Sequence, residues 1–484
     1  MNVYYNIVVI TRRGRHEARS CDKGAFLLHI ENLLETVKRV HFIGIGGAGM
    51  CPLAEILHRG GYALSGSDNN ESDTLRHIMD LGIPVTLGHA PQNTDGAEMV
   101  VYSAAIPKSN HELADALEKG IPCFKRSELF GAVSRMHKNC VGICGTHGKT
   151  TATAMTTQIL IKAGMSPNAL IGGRLPLTNS YSVAGESDVF VCEACEYADT
   201  FLDLSPKCSV ILNVDADHLE YFKTIENLIA SFTKFADMSD TVIYNADDAN
   251  TKTAVKGLKG KAFVTFGKKT ENNWSYGNVS MKNGAFPCFD VLRDGKYAGR
   301  AELNIPGEHN ILNALAAIAA SVYAGAAVED SIKYAGGFAG AGRRFEKLAE
   351  INGITVADDY AHHPAELEAV LKAAKKMDYS RVIAIFQPFT FSRTSNLFNE
   401  FVSALKIPDI VIMTEIMGSR EVNTYNISTA NLAEKIENSV WFDGFDKIAD
   451  YTASIAKNGD LIITLGCGDV YKIAKILIER MYKK

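Results

Sequence analysis

The chain has 484 residues, 46% of them hydrophobic and 22% charged, with a formal net charge of −5 from 50 basic and 55 acidic side chains. These values exclude a collagen, a disordered chain and a small disulfide scaffold, and they leave material for about three cores. The mild acidity argues against nucleic acid or an anionic membrane surface as partner, because such binders carry a basic excess.

Residues 1–38 fit no element pattern. Their apolar stretch Tyr4–Ile10 precedes the basic cluster Arg12, Arg13, Arg15 and Arg19, the reverse of a secretory leader. They read as an appended, poorly ordered arm, and a chain starting near Glu35 is expected to fold and stay active. From Val40 short β-rich runs alternate with segments of helical period, the pattern of α/β layers with parallel sheets. Strands are expected at Val40–Ile45, Met99–Ser103, Cys140–Cys144, Val189–Ala194, Val210–Val214, Thr241–Asn245, Val382–Phe386, Ile410–Thr414 and Leu461–Leu465. Helices are expected at Thr150–Ala163, Ile225–Ala236 and Glu366–Lys376. The stretch 257–305 reads as short strands with turns at Asn283-Gly284 and Asp294-Gly295. Ile311–Val328 is dominated by alanine and interrupted by Asn313, Ser321 and Gly325, so it reads as a buried helix rather than a membrane span. Ten cysteines without regular spacing read as reduced thiols of a cytoplasmic protein. Cys192-x-x-Cys195 lacks the second pair that zinc would want. The chain divides into an extension, 1–38, and domains over 39–137, 138–338 and 339–484.

Gly44-Ile45-Gly46-Gly47-Ala48-Gly49 follows the first strand in the form G-x-G-x-x-G. Glycines let a backbone turn tightly and approach a diphosphate at a helix N-terminus. Asp68 stands where a ribose-binding carboxylate would be expected. Alone, this loop points to an NAD-dependent dehydrogenase, although any diphosphate needs the same backbone.

A second glycine loop, Gly145-Thr146-His147-Gly148-Lys149-Thr150-Thr151, follows Cys140–Cys144. It ends as a P-loop does, with a lysine for the β/γ-phosphates and a threonine hydroxyl for Mg²⁺. It departs from the strict form in having Ile143 at the first glycine position. Glu193 closes an apolar run, where a carboxylate beside a P-loop commonly holds Mg²⁺. Asp217-His218 also follows a strand. Pro306-Gly307-Glu308-His309-Asn310 reads as a turn and helix start. Asp358-Asp359-Tyr360-Ala361-His362-His363-Pro364 lies at a strand-to-helix junction, where neighbouring residues do not easily converge on one metal.

The order G-I-G-G-A-G-M, G-T-H-G-K-T-T, E-A-C-E, N-x-x-x-D-H, P-G-E-H-N-x-x-N, G-R-R-F-E, D-D-Y-A-H-H-P resembles the Mur ligases, from about Lys38 to the C-terminus. The resemblance implies three α/β domains: a Rossmann-like UDP-binding domain, a central P-loop-type ATPase domain and a C-terminal Rossmann-like domain. It implies that Gly44, Gly46, Gly47, Gly49, Asp68 and Ser103 serve a UDP-sugar. It assigns Gly145, Thr146, His147, Gly148, Lys149, Thr150 and Thr151 to ATP, with Thr150 and Glu193 for Mg²⁺ and His309, Asn310 and Asn313 near the adenine. Arg343 and Asp359 would reach the nucleotide when the domains close. Lys149, His218, His363 and Arg393 would be catalytic, the last two facing the amino acid and the acyl group.

The implied reaction adds L-alanine to the lactyl carboxylate of UDP-N-acetylmuramate through an acyl phosphate, as a step of peptidoglycan precursor synthesis. A tripeptide-recycling member of the family is the alternative. Two departures stand out. Phe389 occupies a place where a histidine usually follows Gln-Pro. A lysine that many members carry after the Asp-His is absent, its place being Phe232 with Lys234 out of register, which favours the alanine-adding members. The sequence leaves the oligomeric state open, and it leaves His218 and His363 both open as the base.

Overall fold

The computed structural model describes residues 23–419 and 421–483, with side chains from residue 30 onward. They form two compact units. One holds the chain up to Met50 together with Gly61–Met136, and the other holds Cys51–Gly60 with the chain from His137.

In the first unit β1 (Arg39–Ile43), β2 (Ala63–Asp68), β3 (Val85–Leu87), β4 (Met99–Tyr102) and β5 (Cys123–Lys125) form a parallel sheet in the order 3-2-1-4-5. The order reverses between β1 and β4, the kind of crevice in which such sheets take ligands. Asn110 caps the helix His111–Glu118, whose Leu113 and Ala116 pack on Ile43 and Val100.

Residues 30–37 correct the expectation of an unpacked arm; residues 1–22 lie outside the described residues. Lys23–Thr36 is a helix, and Ile30, Leu34 and Val37 are buried. Glu31 pairs with Arg135 at 2.5 Å, and the Tyr62 hydroxyl donates to the Leu34 carbonyl at 2.7 Å. Periodicity was hidden because the apolar residues are spread around the helix instead of forming one stripe. Removing residues 1–36 exposes the surface that Ile30 and Leu34 cover. It should therefore cost about 3–6 kcal/mol, read as a fall in the urea midpoint of the truncated chain. An unchanged midpoint would restore the reading as an unpacked arm.

The second unit carries two sheets. The first contains β6 (Asn139–Cys144), β7 (Asn168–Leu175), β8 (Ser180–Val183), β9 (Val189–Glu193), β10 (Cys208–Ile211), β11 (Thr241–Asn245), β12 (Ala262–Phe266), β13 (Trp274–Lys282), β14 (Phe286–Arg293) and β15 (Lys296–Glu302). Their order is 15-14-13-12-11-10-6-9-7-8. The strands from β6 to β12 pair in parallel, the central β6, β9 and β10 being largely buried, apart from the edge strand β8, which runs antiparallel to β7. Strands β13–β15 form the antiparallel meander that the turn residues announced. The apolar run beginning at Ile311 is the buried helix Asn310–Tyr323; its small alanines let it lie against the helix Lys149–Lys162.

The last sheet contains β16 (Glu346–Ile351), β17 (Ile354–Asp359), β18 (Arg381–Phe386), β19 (Ile410–Met413), β20 (Ser439–Trp441) and β21 (Asp460–Leu465), in the order 16-17-21-18-19-20. Alternation splits its core. Val382, Ala384 and Phe386 face the helix Pro364–Lys375, while Ile383 and Ile385 face the helix Tyr471–Tyr482.

Candidate active site

The first glycine loop is folded around the end of β2. The N–H groups of Gly44 and Ile45 donate to the Ser67 carbonyl at 2.8 and 3.0 Å, and Gly44 has φ +81°, a conformation that favours glycine. Gly46 N–H donates to Asp68 Oδ2 at 2.9 Å, and Asn70 N–H to Asp68 Oδ1 at 3.0 Å. Asp68 therefore holds the loop, instead of standing free for a ribose as the dehydrogenase reading requires. A Cβ on Gly46 would lie 3.0 Å from Leu75 Cβ and 3.1 Å from Asp68 Oδ2, so the protein's own packing already demands glycine there. Gly47 N–H bonds back to the Gly44 carbonyl at 3.2 Å, and Ser103 sits beside Gly44 from the end of β4. Arg126 brings a guanidinium alongside Gly49, a cation that no motif flagged.

The second loop is braced from β10. Asn213 accepts from His147 N–H at 2.8 Å, and its amide donates to the His147 carbonyl at 3.0 Å. The Thr146 hydroxyl takes the Asp215 N–H at 2.9 Å. Gly148, at φ +84°, lies directly against the Asn313 amide, and Asn313 in turn donates to Asn310 at 2.9 Å. Those two asparagines thus shape the loop. His309 precedes them, its ring folded over Gly307. Thr151 is buried in the first turn of the following helix.

Lys149 Nζ bonds the carbonyls of Gly145 (2.5 Å) and Thr146 (3.0 Å) and the carboxylate of Glu196 (3.0 Å). Burial alone would lower its pKa, but Glu196 outweighs that and keeps the ammonium charged. Glu193 accepts the Gly172 N–H at 2.9 Å, and the adjacent Gly173 backs onto the Thr150 methyl. Thr150 and Glu193 therefore flank one glycine pair of β7. A hydroxyl and a carboxylate at this spot suit Mg²⁺, which typically takes one or two protein oxygens and completes its shell with phosphate and water.

The third domain reaches this loop, but not through the expected arginine. Arg343, at φ +58°, is turned inward: its guanidinium bonds Asp358 (2.7 Å) and the carbonyls of Gly466 (2.6 Å) and Gly468 (3.1 Å). Its neighbour Arg344 donates to the Thr150 hydroxyl at 3.2 Å, and the Tyr360 ring lies about equally close to both guanidiniums. Asp359 is likewise used internally, accepting from Phe345 N–H (2.8 Å) and Ala361 N–H (2.7 Å), with burial raising its pKa to about 6.

Two more links join the third domain to the second glycine loop and to the segment that follows β10. Arg393 donates to Asp217 at 2.8 Å. His147 Nδ1 lies 3.1 Å from Glu366, the residue that also closes the N-terminus of the helix Pro364–Lys375, and its Nε2 lies 3.5 Å from Asp215. Burial would lower the His147 pKa, yet Asp215 and Glu366 raise it to about 9, while Asp215 is held down at about 2. The folded pKa exceeds the ordinary 6.5, so the stabilisation from this contact is complete below 6.5 and lost as pH rises through about 9. We expect the melting temperature to fall across that window in the wild type. The fall should be absent in His147→Gln, and equal slopes for the two proteins would contradict the assignment.

His363 is buried at the N-cap. Its Nδ1 accepts from Ala365 N–H at 3.4 Å, and its Nε2 has no hydrogen-bond partner among the described residues. Burial lowers its pKa, so the ring is neutral with the proton on Nε2. His218, at φ +56°, follows β10 and points its Nδ1 at Glu220 (3.4 Å). It lines a cleft of about 350 Å³ with Tyr197, Asp217, Phe389, Arg393 and Glu421. Phe389 supplies an apolar wall to that cleft and meets the edge of His362.

Three family models match the chain in sequence: the Mur ligase family catalytic domain over residues 39–138, the Mur ligase middle domain over 143–321, and the Mur ligase glutamate ligase domain over 343–468. The UDP-N-acetylmuramate–L-alanine ligase of Caldanaerobacter subterraneus subsp. tengcongensis is 40% identical over 457 residues, covering 93% of this chain and 99% of that one. The ligase of the same name from Clostridium novyi is 42% identical, covering 92% and 98%. The crystal structure of the UDP-N-acetylmuramate-alanine ligase MurC from Thermotoga maritima superposes with a TM-score of 0.80 at 26% identity, covering 92% of this chain and 99% of that one. With matched domains in this order and relatives that align end to end, the chain belongs to the Mur ligase family.

Proposed function

We propose that this protein joins L-alanine to the lactyl carboxylate of UDP-N-acetylmuramate, consuming ATP and passing through an acyl phosphate, in keeping with the names of its end-to-end curated relatives. The observation that carries the reading is that the third domain reaches the second glycine loop and the cleft beside it: Arg344 on Thr150, Glu366 on His147, and Arg393 on Asp217 in the cleft. A protein that merely bound ATP would have no use for a second sheet brought to the γ-phosphate end of the loop.

The carboxylate of the substrate is a poor electrophile, since its charge repels an amine and oxide is a bad leaving group. Transfer of the γ-phosphoryl group to it creates a good leaving group. Two anions must meet for this, and Lys149, Arg344 and Arg393 supply the positive field. Thr150 and Glu193 would hold Mg²⁺, which when bound neutralises phosphate charge. The alanine amine then attacks, and the tetrahedral adduct collapses to amide and phosphate.

The histidines divide the work by their tautomers. His363 offers a buried N–H that the described residues leave without an acceptor, suited to an anionic oxygen of the acyl phosphate. His218 lies in the cleft with Nδ1 3.4 Å from Glu220 and Nε2 3.8 Å from Asp217; with its proton on Nδ1, the Nε2 lone pair can take the proton from the ammonium of alanine.

A phosphate-release assay with ATP, UDP-N-acetylmuramate and each common amino acid in turn tests the reading. Release that depends on L-alanine supports it. Release only with a preformed tripeptide, or none at all, rejects it.

A further inference from the structure

Glu112 lies in the first unit, outside everything assigned to ATP. It is fully buried in the first turn of the helix His111–Glu118. Its carboxylate receives three donors: His41 Nε2 at 2.6 Å, Ser67 Oγ at 2.8 Å and His89 Nδ1 at 2.8 Å. His41, also buried, is fixed at its other nitrogen by Ser65 Oγ at 2.8 Å. Burial would push the carboxyl up, but these bonds outweigh it and hold the group below its ordinary range. Enclosing a charged carboxylate in a core is costly, and an aliphatic side chain would fill the same space more favourably.

What the carboxylate holds in place is the end of β2. Ser67, one of its donors, presents the carbonyl that receives Gly44 N–H and Ile45 N–H. His89, another donor, follows Gly88, whose N–H donates to the Asp68 carbonyl at 2.8 Å. Asp68 in turn holds Gly46 N–H with its side chain. One buried group thus fixes both residues of β2 that together anchor three consecutive residues of the glycine loop.

We propose that Glu112 is a positioning residue for the UDP-sugar, fixing through Ser67, and through His89 and the Gly88–Asp68 contact, the course of residues 44–46 and with it the glycine loop on which the diphosphate sits. This rests on the reading that the first loop takes the UDP-sugar. The other ties at Gly46 are to its carbonyl, from the Ser72 and Thr74 hydroxyls at the start of the helix Asp73–Asp80. A misplacement of about an ångström at a phosphate cradle is enough to cost an order of magnitude in binding.

The test uses the full-length protein with Glu112→Gln and, as the milder change, Ser67→Ala. Calorimetry measures UDP and UDP-N-acetylmuramate binding, and steady-state kinetics gives KM for each substrate. Glu112→Gln should weaken UDP and the UDP-sugar about tenfold or more, and Ser67→Ala severalfold, with KM for ATP and alanine and the saturated kcat nearly unchanged. A lower melting temperature with unaltered UDP affinity in both variants would reduce the cluster to a structural role and overturn the proposal. If Glu112→Gln fails to fold, Ser67→Ala decides alone. Absence of UDP binding to the unmodified protein is a different outcome: it rejects the reading of the loop itself.

Discussion

Lys149→Ala should lower ATP-dependent phosphate release by ~10³-fold or more while leaving UDP-sugar affinity within about twofold. The ammonium is held against the loop by the Gly145 and Thr146 carbonyls, where the proposed reading puts the transferring phosphate. The first glycine loop has separate anchors, Ser67 and Asp68, and shares none of them with Lys149. The substitution also strands the buried carboxylate of Glu196, which loses its ion pair with the lysine. A loss of about 3–5 kcal/mol in stability is expected from that alone. The double variant Lys149→Ala/Glu196→Gln separates the two effects: it should recover the melting temperature without recovering turnover. Recovery of turnover would show that the lysine acts structurally. Equal loss of UDP-sugar binding and activity would show that the two loops do not have separate ligands.

His218→Gln carries the second large effect. Removing a positioned base typically costs about 10²–10⁴-fold, and the loss should fall on kcat. His363→Gln should behave differently, because Gln retains an N–H donor near the Nε2 position. It should lose activity more modestly. The reversed pattern, with the larger loss of kcat in His363→Gln, would exchange the roles.

The parallel strands and the two glycine loops were legible because they rest on local signals: β-rich runs bounded by turns, and glycines where the backbone must turn. Thr241–Asn245 matches its expected bounds to the residue, and most other strands are displaced by only one or two. The roles of Arg343 and Arg344 were not legible. They are adjacent and chemically identical, and only the left-handed backbone at Arg343 turns one inward and sends the other to Thr150. Asp68 was visible as a carboxylate at the right distance from a glycine, but spacing does not show whether its oxygens are free, and one accepts from Gly46 N–H in the loop and the other from Asn70 N–H. Glu366 and Glu112 were given no role for a related reason: each acts across elements far apart in sequence, and neither stands in a motif. Asn213 stands in the N-x-x-x-D-H motif, but its bracing of the second glycine loop does not show in the spacing. The N-terminal helix was missed because its apolar residues do not fall on one face and its partners Tyr62 and Arg135 lie elsewhere in the chain.

The central claim is that the carboxylate is activated by phosphoryl transfer before the amine attacks. It is tested most directly by following the carboxylate oxygen. UDP-N-acetylmuramate labelled with ¹⁸O in the lactyl carboxylate is turned over with ATP and L-alanine, and the released phosphate is analysed by mass spectrometry. An acyl phosphate requires one carboxylate oxygen to leave with the phosphate, so the phosphate should carry a single ¹⁸O for each amide formed. Unlabelled phosphate alongside amide product would mean that ATP is cleaved without activating the carboxylate, and the acyl-phosphate mechanism would be wrong.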